Sequence, residues 1–200
     1  VNTCHRLCNM IVPETAYGQI FQQSSYNDII SKENLKLYGD ERTYTYFETP
    51  NIQGPTFGPI YHYLNLKRLY VITSKNTASA SESTINSLRP YMDVIVIGEN
   101  TVGKGVGMYT LSSPKFKYSL VPITFRFYNA TGETIPDSGI VPDYYIEDGN
   151  LTHKKDLGDL AEPLLAKAIE LITSIPSSFE KRSCPLKFIE NNLTPIGDPS

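Results

Sequence analysis

The 200-residue sequence has no tryptophan, only three cysteines, no excess of positive charge and no long apolar run, and most of these shortages exclude a class of function. Lys and Arg number 18 against 21 Asp and Glu, a formal net charge of −3. With its basic residues scattered, the chain offers no electrostatic footprint for nucleic acid. No apolar run approaches the about 20 residues that a helix needs to cross a bilayer. The opening "VNTCHRLCNM" has neither the basic start nor the apolar middle of a signal peptide. A start on Val1 rather than Met is expected of a cut-out fragment or of a processed chain, either of which would lack the targeting segments of a longer protein. The cysteines, Cys4, Cys8 and Cys184, form no C-x-x-C pair and have no His at ligand spacing, so no zinc site is expected. Cys4 and Cys8, four apart, read as small buried hydrophobes of a helix. The N-x-[ST] triplets at Asn129, Asn150 and Asn192 carry no weight in a chain rich in Asn, Ser and Thr.

What is present fits one folded domain, with 40% hydrophobic and 20% charged residues. Val1 to Val12 has apolar residues at Cys4, Leu7, Cys8 and Ile11, a helical period that stops at Pro13. Thr15 to Gly58, rich in Tyr, Asn and Ser, reads as mostly loop with hairpin character; Gly39-Asp40 is a turn and "RTYTYFE" a short strand. "RLYVIT", a helix with Ile85, Leu88 and Met92 on one face, and "DVIVI" together read as one βαβ unit whose strands are parallel and buried on both faces. "GMYTLS" and "SLVPITFRFYN" read as strands, the second antiparallel. "DLAEPLLAKAIELITSI" is an amphipathic helix with Leu160, Leu164, Leu165, Ala168, Ile169 and Ile172 on one side, Asp159 as its cap and Pro176 as its end. The domain is expected over 1–176, with a Pro-containing tail over 177–200.

Two stretches carry chemistry. "GENTVGKGVG" nearly matches the G-x-x-x-x-G-K-[ST] loop that cradles phosphates, but Gly105 stands where the magnesium-binding hydroxyl belongs, which argues against a nucleotide. "KNTASASES" puts hydroxyls at a strand-to-helix turn, where a nucleophilic serine is exposed and helix N–H groups can hold an oxyanion. Ser79, Ser81 and Ser83 are all candidates, and a Ser cluster there can equally serve as a helix cap. A serine needs a base. His5, His62 and His153 do not sit on strand-end turns of the βαβ unit, whereas Lys104 follows the second strand and reaches the crevice that Ser79 enters from the first. Lys104 can act as a base only if it is neutral, which requires burial away from water. Gly103 and Gly105 are expected to let the backbone bend so that the amine points inward.

At these residues the sequence resembles the tail-specific, or C-terminal processing, proteases: Ser/Lys peptidases with a ClpP/crotonase-like α/β core. That family's S-A-S-A-S-E segment is matched by Thr77-Ala78-Ser79-Ala80-Ser81-Glu82. Its V-x-G-x-x-T-x-G-K-G segment is matched by Ile97-Gly98-Glu99-Asn100-Thr101-Val102-Gly103-Lys104-Gly105, and its G-x-x-I-x-x-x-G-I-x-P-D segment by Gly132, Ile135, Gly139, Ile140, Pro142 and Asp143. The resemblance covers about Val1 to Leu171 and is greatest to the versions in Bacteroidetes. It implies a core with a parallel βαβ unit, antiparallel strands and a C-terminal helix. It implies Ser79 as nucleophile, Lys104 as general base, and the Ala80 N–H as one oxyanion donor. Glu82, Gly103 and Gly105 would support them, and Asp143 would shape a turn. It further implies no metal or other cofactor, protein or peptide substrates, no nucleic-acid or nucleotide partner, and a bacterial envelope location, periplasmic or as an outer-membrane lipoprotein. Membrane association, if any, would run through N-terminal segments. Two departures stand out. Many relatives carry Gln where this chain has Met108, and their D-L-R-x-N-x-G-G turn, which supplies the second oxyanion donor, would precede Val1, as would any PDZ domain. The isolated chain is therefore expected to be weakly active or inactive. A non-catalytic binding or scaffold module on the same fold is the alternative.

Overall fold

The structure, a computed structural model, describes residues 2–48, 64–113, 115, 117–147, 155, 156 and 158–173. The chain starts with α1 (Asn2–Ile11), which ends at Pro13 as its sequence requires, and a single 3-10 turn follows at Glu14–Ala16. Cys4, Cys8 and Ile11 are buried whereas Leu7 is exposed, so the helix presents its cysteine side to the core. Both cysteines are free thiols, and Cys4 Sγ lies 3.2 Å from Thr84 Oγ1. Cys184 and the expected tail fall outside the described residues.

The segment expected to be loop contains a strand and a helix, β1 (Ile20–Tyr26) and α2 (Asp28–Tyr38), before β2 (Thr43–Tyr46) takes up the "RTYTYFE" run. The α2 helix has its signals at its ends. Asn27 accepts the Ile30 N–H, and Gly39, at φ 75°, closes the C-terminus in the left-handed region that glycine adopts without strain. Its apolar residues Ile29, Leu35 and Leu37 are exposed and only Asn34 is buried, so no apolar stripe marks it in the sequence.

The expected βαβ unit follows as β3 (Arg68–Thr73), α3 (Ala80–Leu88) and β4 (Asp93–Gly98). The two strands pair in parallel from Arg68↔Asp93 to Thr73↔Gly98. Successive side chains of β4 point to opposite faces. Val96 packs with Ile85 of α3, Ile135 and Ile140, while Ile97 packs with Leu164 and Ala168 on the other side. Both faces are therefore covered, which is why this run is apolar without alternation.

"GMYTLS" divides into β5 (Val106–Met108) and β6 (Leu111–Ser112), and Pro122 divides the next run into β7 (Ser119–Leu120) and β8 (Ile123–Tyr128). Strands β2, β1, β8 and β5, in that order, form an antiparallel sheet, while β6 and β7 make a separate hairpin. A short β9 (Tyr144–Tyr145) joins β4 in parallel, completing the order β3-β4-β9. The last element among the described residues, α4 (Pro163–Thr173), starts later than expected. Glu162, rather than Asp159, caps it, accepting the N–H groups of Leu164 and Leu165, and Pro163 occupies the first helical position, where its lacking N–H costs nothing. Leu164 and Ala168 are buried as expected, but Leu160 and Ile172 are exposed; the helix turns Lys167 inward instead, over the Tyr144 ring at 5.0 Å and bonded to Glu170 at 2.7 Å. Pro176 lies outside the described residues.

Candidate active site

Thr73 and Gly98 are partners at the C-terminal ends of β3 and β4, so the segments that leave them, carrying Ser79 and Lys104, start side by side. Gly98 is essential to that crossing. At φ 127° its missing Cβ would stand 2.0 Å from the Thr73 carbonyl oxygen.

Ser79 is the N-cap of α3, at φ 56° and ψ −110°, a backbone region that residues with a Cβ rarely enter. Strain of this kind persists only where surrounding contacts fix it, and it is characteristic of sharp strand-to-helix turns that present a nucleophile. Ser79 is half-buried, and Ala80 next to it is exposed. As the first residue of the helix, Ala80 has an N–H with no intrahelical acceptor. Ser81 and Ser83 lie inside the helix, and the Ser83 N–H bonds to the Ser79 carbonyl at 2.8 Å. The hydroxyl pattern by itself leaves the three serines open; of the three, Ser79 alone has a positive φ.

Glu82 connects the two segments. It is fully buried. One carboxylate oxygen, Oε2, accepts the Ser79 N–H at 2.7 Å and the Lys104 N–H at 2.9 Å. The other, Oε1, accepts the Thr101 hydroxyl at 2.5 Å and the Gly103 N–H at 2.6 Å. Four donors on two oxygens solvate the buried carboxylate, with no cation among its partners in the described residues. The Ser79 contact belongs to a capping box at the start of α3, and the bonds to 101–104 come in addition. Sequence spacing could show the box but not the second set of partners. Thr101, which sequence reasoning did not single out, extends the network: its hydroxyl accepts the Ile140 N–H at 2.7 Å while donating to Glu82.

The glycines on either side of Lys104 lie close to a neighbouring segment. A Cβ on Gly103, at φ 92°, would stand 2.3 Å from the Asp137 carbonyl oxygen, and one on Gly105 would stand 3.0 Å from that of Ile135. They let the loop lie against the 134–140 segment. Lys104 itself is exposed among the described residues. Met108 is 39% exposed, and Asp143 is tied to β4, its carboxylate accepting the Val96 N–H at 2.8 Å and its N–H donating to the Val96 carbonyl. His5 is bonded to the Tyr46 carbonyl, away from the site, and His62 and His153 lie outside the described residues. Asn129 is fully buried, so its N-x-[ST] triplet is no glycan acceptor in the folded chain. Among the described residues no group of three or more His, Cys, Asp or Glu is placed to hold a metal ion, and no helix is long and apolar enough to cross a membrane.

The chain is 26% identical to a solved protein of Bacteroides fragilis assigned to the S41 proteases, with a TM-score of 0.72 over 88% of this chain and 42% of that one. The photosystem II D1 C-terminal processing protease matches at 17% identity and a TM-score of 0.50, over 73% of this chain and 31% of that one. A lipoprotein of Streptococcus agalactiae matches at 14% and 0.53, over 86% and 49%. These last two likenesses are of fold alone, and this chain spans less than half the length of each of the three proteins. No curated protein matches it. The model of peptidase family S41 matches residues 6–146, and with that span the chain belongs to peptidase family S41.

Proposed function

We propose that this chain carries the nucleophile and the general base of a serine endopeptidase. Ser79 Oγ attacks the carbonyl carbon of a peptide bond and gives its proton to the neutral amine of Lys104. The Ala80 N–H stabilises the oxyanion of the tetrahedral intermediate. Lys104 then returns the proton to the leaving amine as the C–N bond breaks, and water hydrolyses the resulting acyl-enzyme with Lys104 again as base. The observation that carries the reading is the Glu82 carboxylate, which bonds the backbone N–H groups of both Ser79 and Lys104 and so fixes the two segments relative to each other.

Substrates are protein chains, processed or degraded from the C-terminal side, in the bacterial cell envelope. The described chain is the C-terminal part of the catalytic domain. The second oxyanion donor, and the cover that makes the Lys104 amine neutral, come from elsewhere in a longer polypeptide. The exposure of Lys104 favours one competing reading, a binding module in which the dyad is idle. Cleavage of casein by the full-length protein separates the two. Ser79→Ala and Lys104→Ala should each lower kcat/KM by about a thousand-fold or more. Substantial cleavage by either variant, or none by the wild type, would sink the dyad.

A further inference from the structure

The hairpin of β6 and β7 is a small sheet of its own, and its two sides differ. Residues directly opposite in an antiparallel pair point to the same face; Leu111 is opposite Leu120, and Ser112 is opposite Ser119. The two serine hydroxyls lie 2.8 Å apart, so the polar side is satisfied within the hairpin. The leucine side has no such cover: Leu111 is 56% exposed and Leu120 69%. Tyr118, 82% exposed, joins them around one open concavity. A single exposed leucine is ordinary, whereas three large apolar side chains gathered on one strand pair mark a surface that meets something.

Charge decides what that is. The turn between the strands holds Lys115 and Lys117, both exposed. Neither is paired with a carboxylate among the described residues. Nor does the local sequence offer one: from Asn100 to Gly132 there are four Lys or Arg and no Asp or Glu, although the whole chain has 21 acidic residues and a net charge of −3. The hairpin thus has an apolar face and a cationic end. A polypeptide interface suits it poorly, because a lysine held there loses water without a carboxylate to replace it. The surface of an anionic bilayer suits it well. There lysine side chains keep their ammonium groups among phosphates and water, a tyrosine sits at headgroup depth, and leucines reach the acyl boundary.

We propose that the β6–β7 hairpin is a peripheral docking surface for a membrane rich in anionic lipid. Leu111, Tyr118 and Leu120 enter the interface, and Lys115 and Lys117 pair with headgroup phosphates. The contact lies within residues 111–120, apart from any N-terminal segment, and it does not depend on the peptidase reading above. It is a surface contact: no helix among the described residues is long and apolar enough to cross the bilayer.

The test is co-sedimentation of the full-length protein, purified without covalent lipid, with vesicles of phosphatidylcholine alone or with about 30% phosphatidylglycerol added. The wild type should bind the anionic vesicles at least about ten-fold more tightly than the neutral ones. Lys115→Gln combined with Lys117→Gln should weaken that binding about ten-fold or more, since each removes a cation from the charged surface. Leu111→Ser combined with Leu120→Ser should weaken it to a similar degree, about ten-fold, by removing the apolar insertion. Absence of vesicle binding by the wild type, equal binding to both vesicle types, or equal binding by wild type and both variants would each overturn the proposal. Should the leucine variant fail to fold, the lysine variant, which alters only exposed turn residues, decides by itself. Unchanged vesicle binding together with a raised KM for casein would also overturn the proposal and assign the face to a polypeptide.

Discussion

Two buried polar centres hold α3, and they differ in what they attach. At its N-terminus Glu82 gathers the Ser79, Gly103 and Lys104 N–H groups and the Thr101 hydroxyl. Further along, Asn129 donates to the Asn86 carbonyl at 3.2 Å, and its own side-chain oxygen accepts the N–H groups of Thr131 and Glu133. Both side chains are fully buried. The Asn129 side chain is itself neutral, donates also to the Glu133 carboxylate at 3.2 Å, and closes the turn that follows β8, so it serves the fold. The Glu82 centre is a carboxylate whose partners are the two segments that bear the candidate chemistry. Buried polarity of equal completeness can thus serve architecture in one place and a site in another, and perturbation should tell them apart.

The largest effect is expected from Glu82→Ala, which leaves buried donors from two segments without an acceptor. We expect a loss of about 3–5 kcal/mol in urea unfolding and no measurable peptidase activity even where the protein remains folded. Glu82→Gln, which presents an amide NH₂ to N–H donors, should be milder in stability and still severely inactive. Asn129→Ala should cost about 2–3 kcal/mol by the same measurement, with casein cleavage by the full-length protein near the wild-type rate below its unfolding transition. If Asn129→Ala abolished activity in folded protein, or if Glu82→Gln retained it, the distinction between the two centres would collapse.

The smallest change sharpens the comparison at Ser79. Its φ of 56° is strained for serine and ordinary for glycine, and glycine is nearly as good an N-cap. Ser79→Gly should therefore stabilise the protein slightly, by about 1 kcal/mol, while removing the nucleophile. A thermal melt checks the sign: a lower Tm would mean that the turn is not a place where strain is kept for chemistry.

Much of this arrangement is legible in the sequence, for reasons that can be stated element by element. The βαβ unit declares itself because β3 and β4 are covered on both faces and read as unbroken apolar runs. Pro13 ends α1 through its own covalent geometry. The β1 strand and α2 helix are hidden because β1 buries Gln22 and Gln23 and α2 buries only Asn34, so neither shows an apolar period. The exchange of Asp159 for Glu162 as the cap of α4 is a matter of three residues at a helix start, where several acidic side chains compete. At the site, Ser79 and Lys104 are visible as residue types in a pattern. The bonds from Glu82 to 101–104 are tertiary, and the exposure of Lys104 depends on what surrounds it, which no local pattern encodes.

The central claim is that Lys104 activates Ser79, and the most direct measurement is the rate and position of covalent labelling of the full-length protein by a fluorophosphonate, mapped by mass spectrometry. The account predicts a single adduct on Ser79 that forms at least about a hundred-fold more slowly in Lys104→Ala and not at all in Ser79→Ala. An adduct on another residue, or labelling of Lys104→Ala at the wild-type rate, would contradict it.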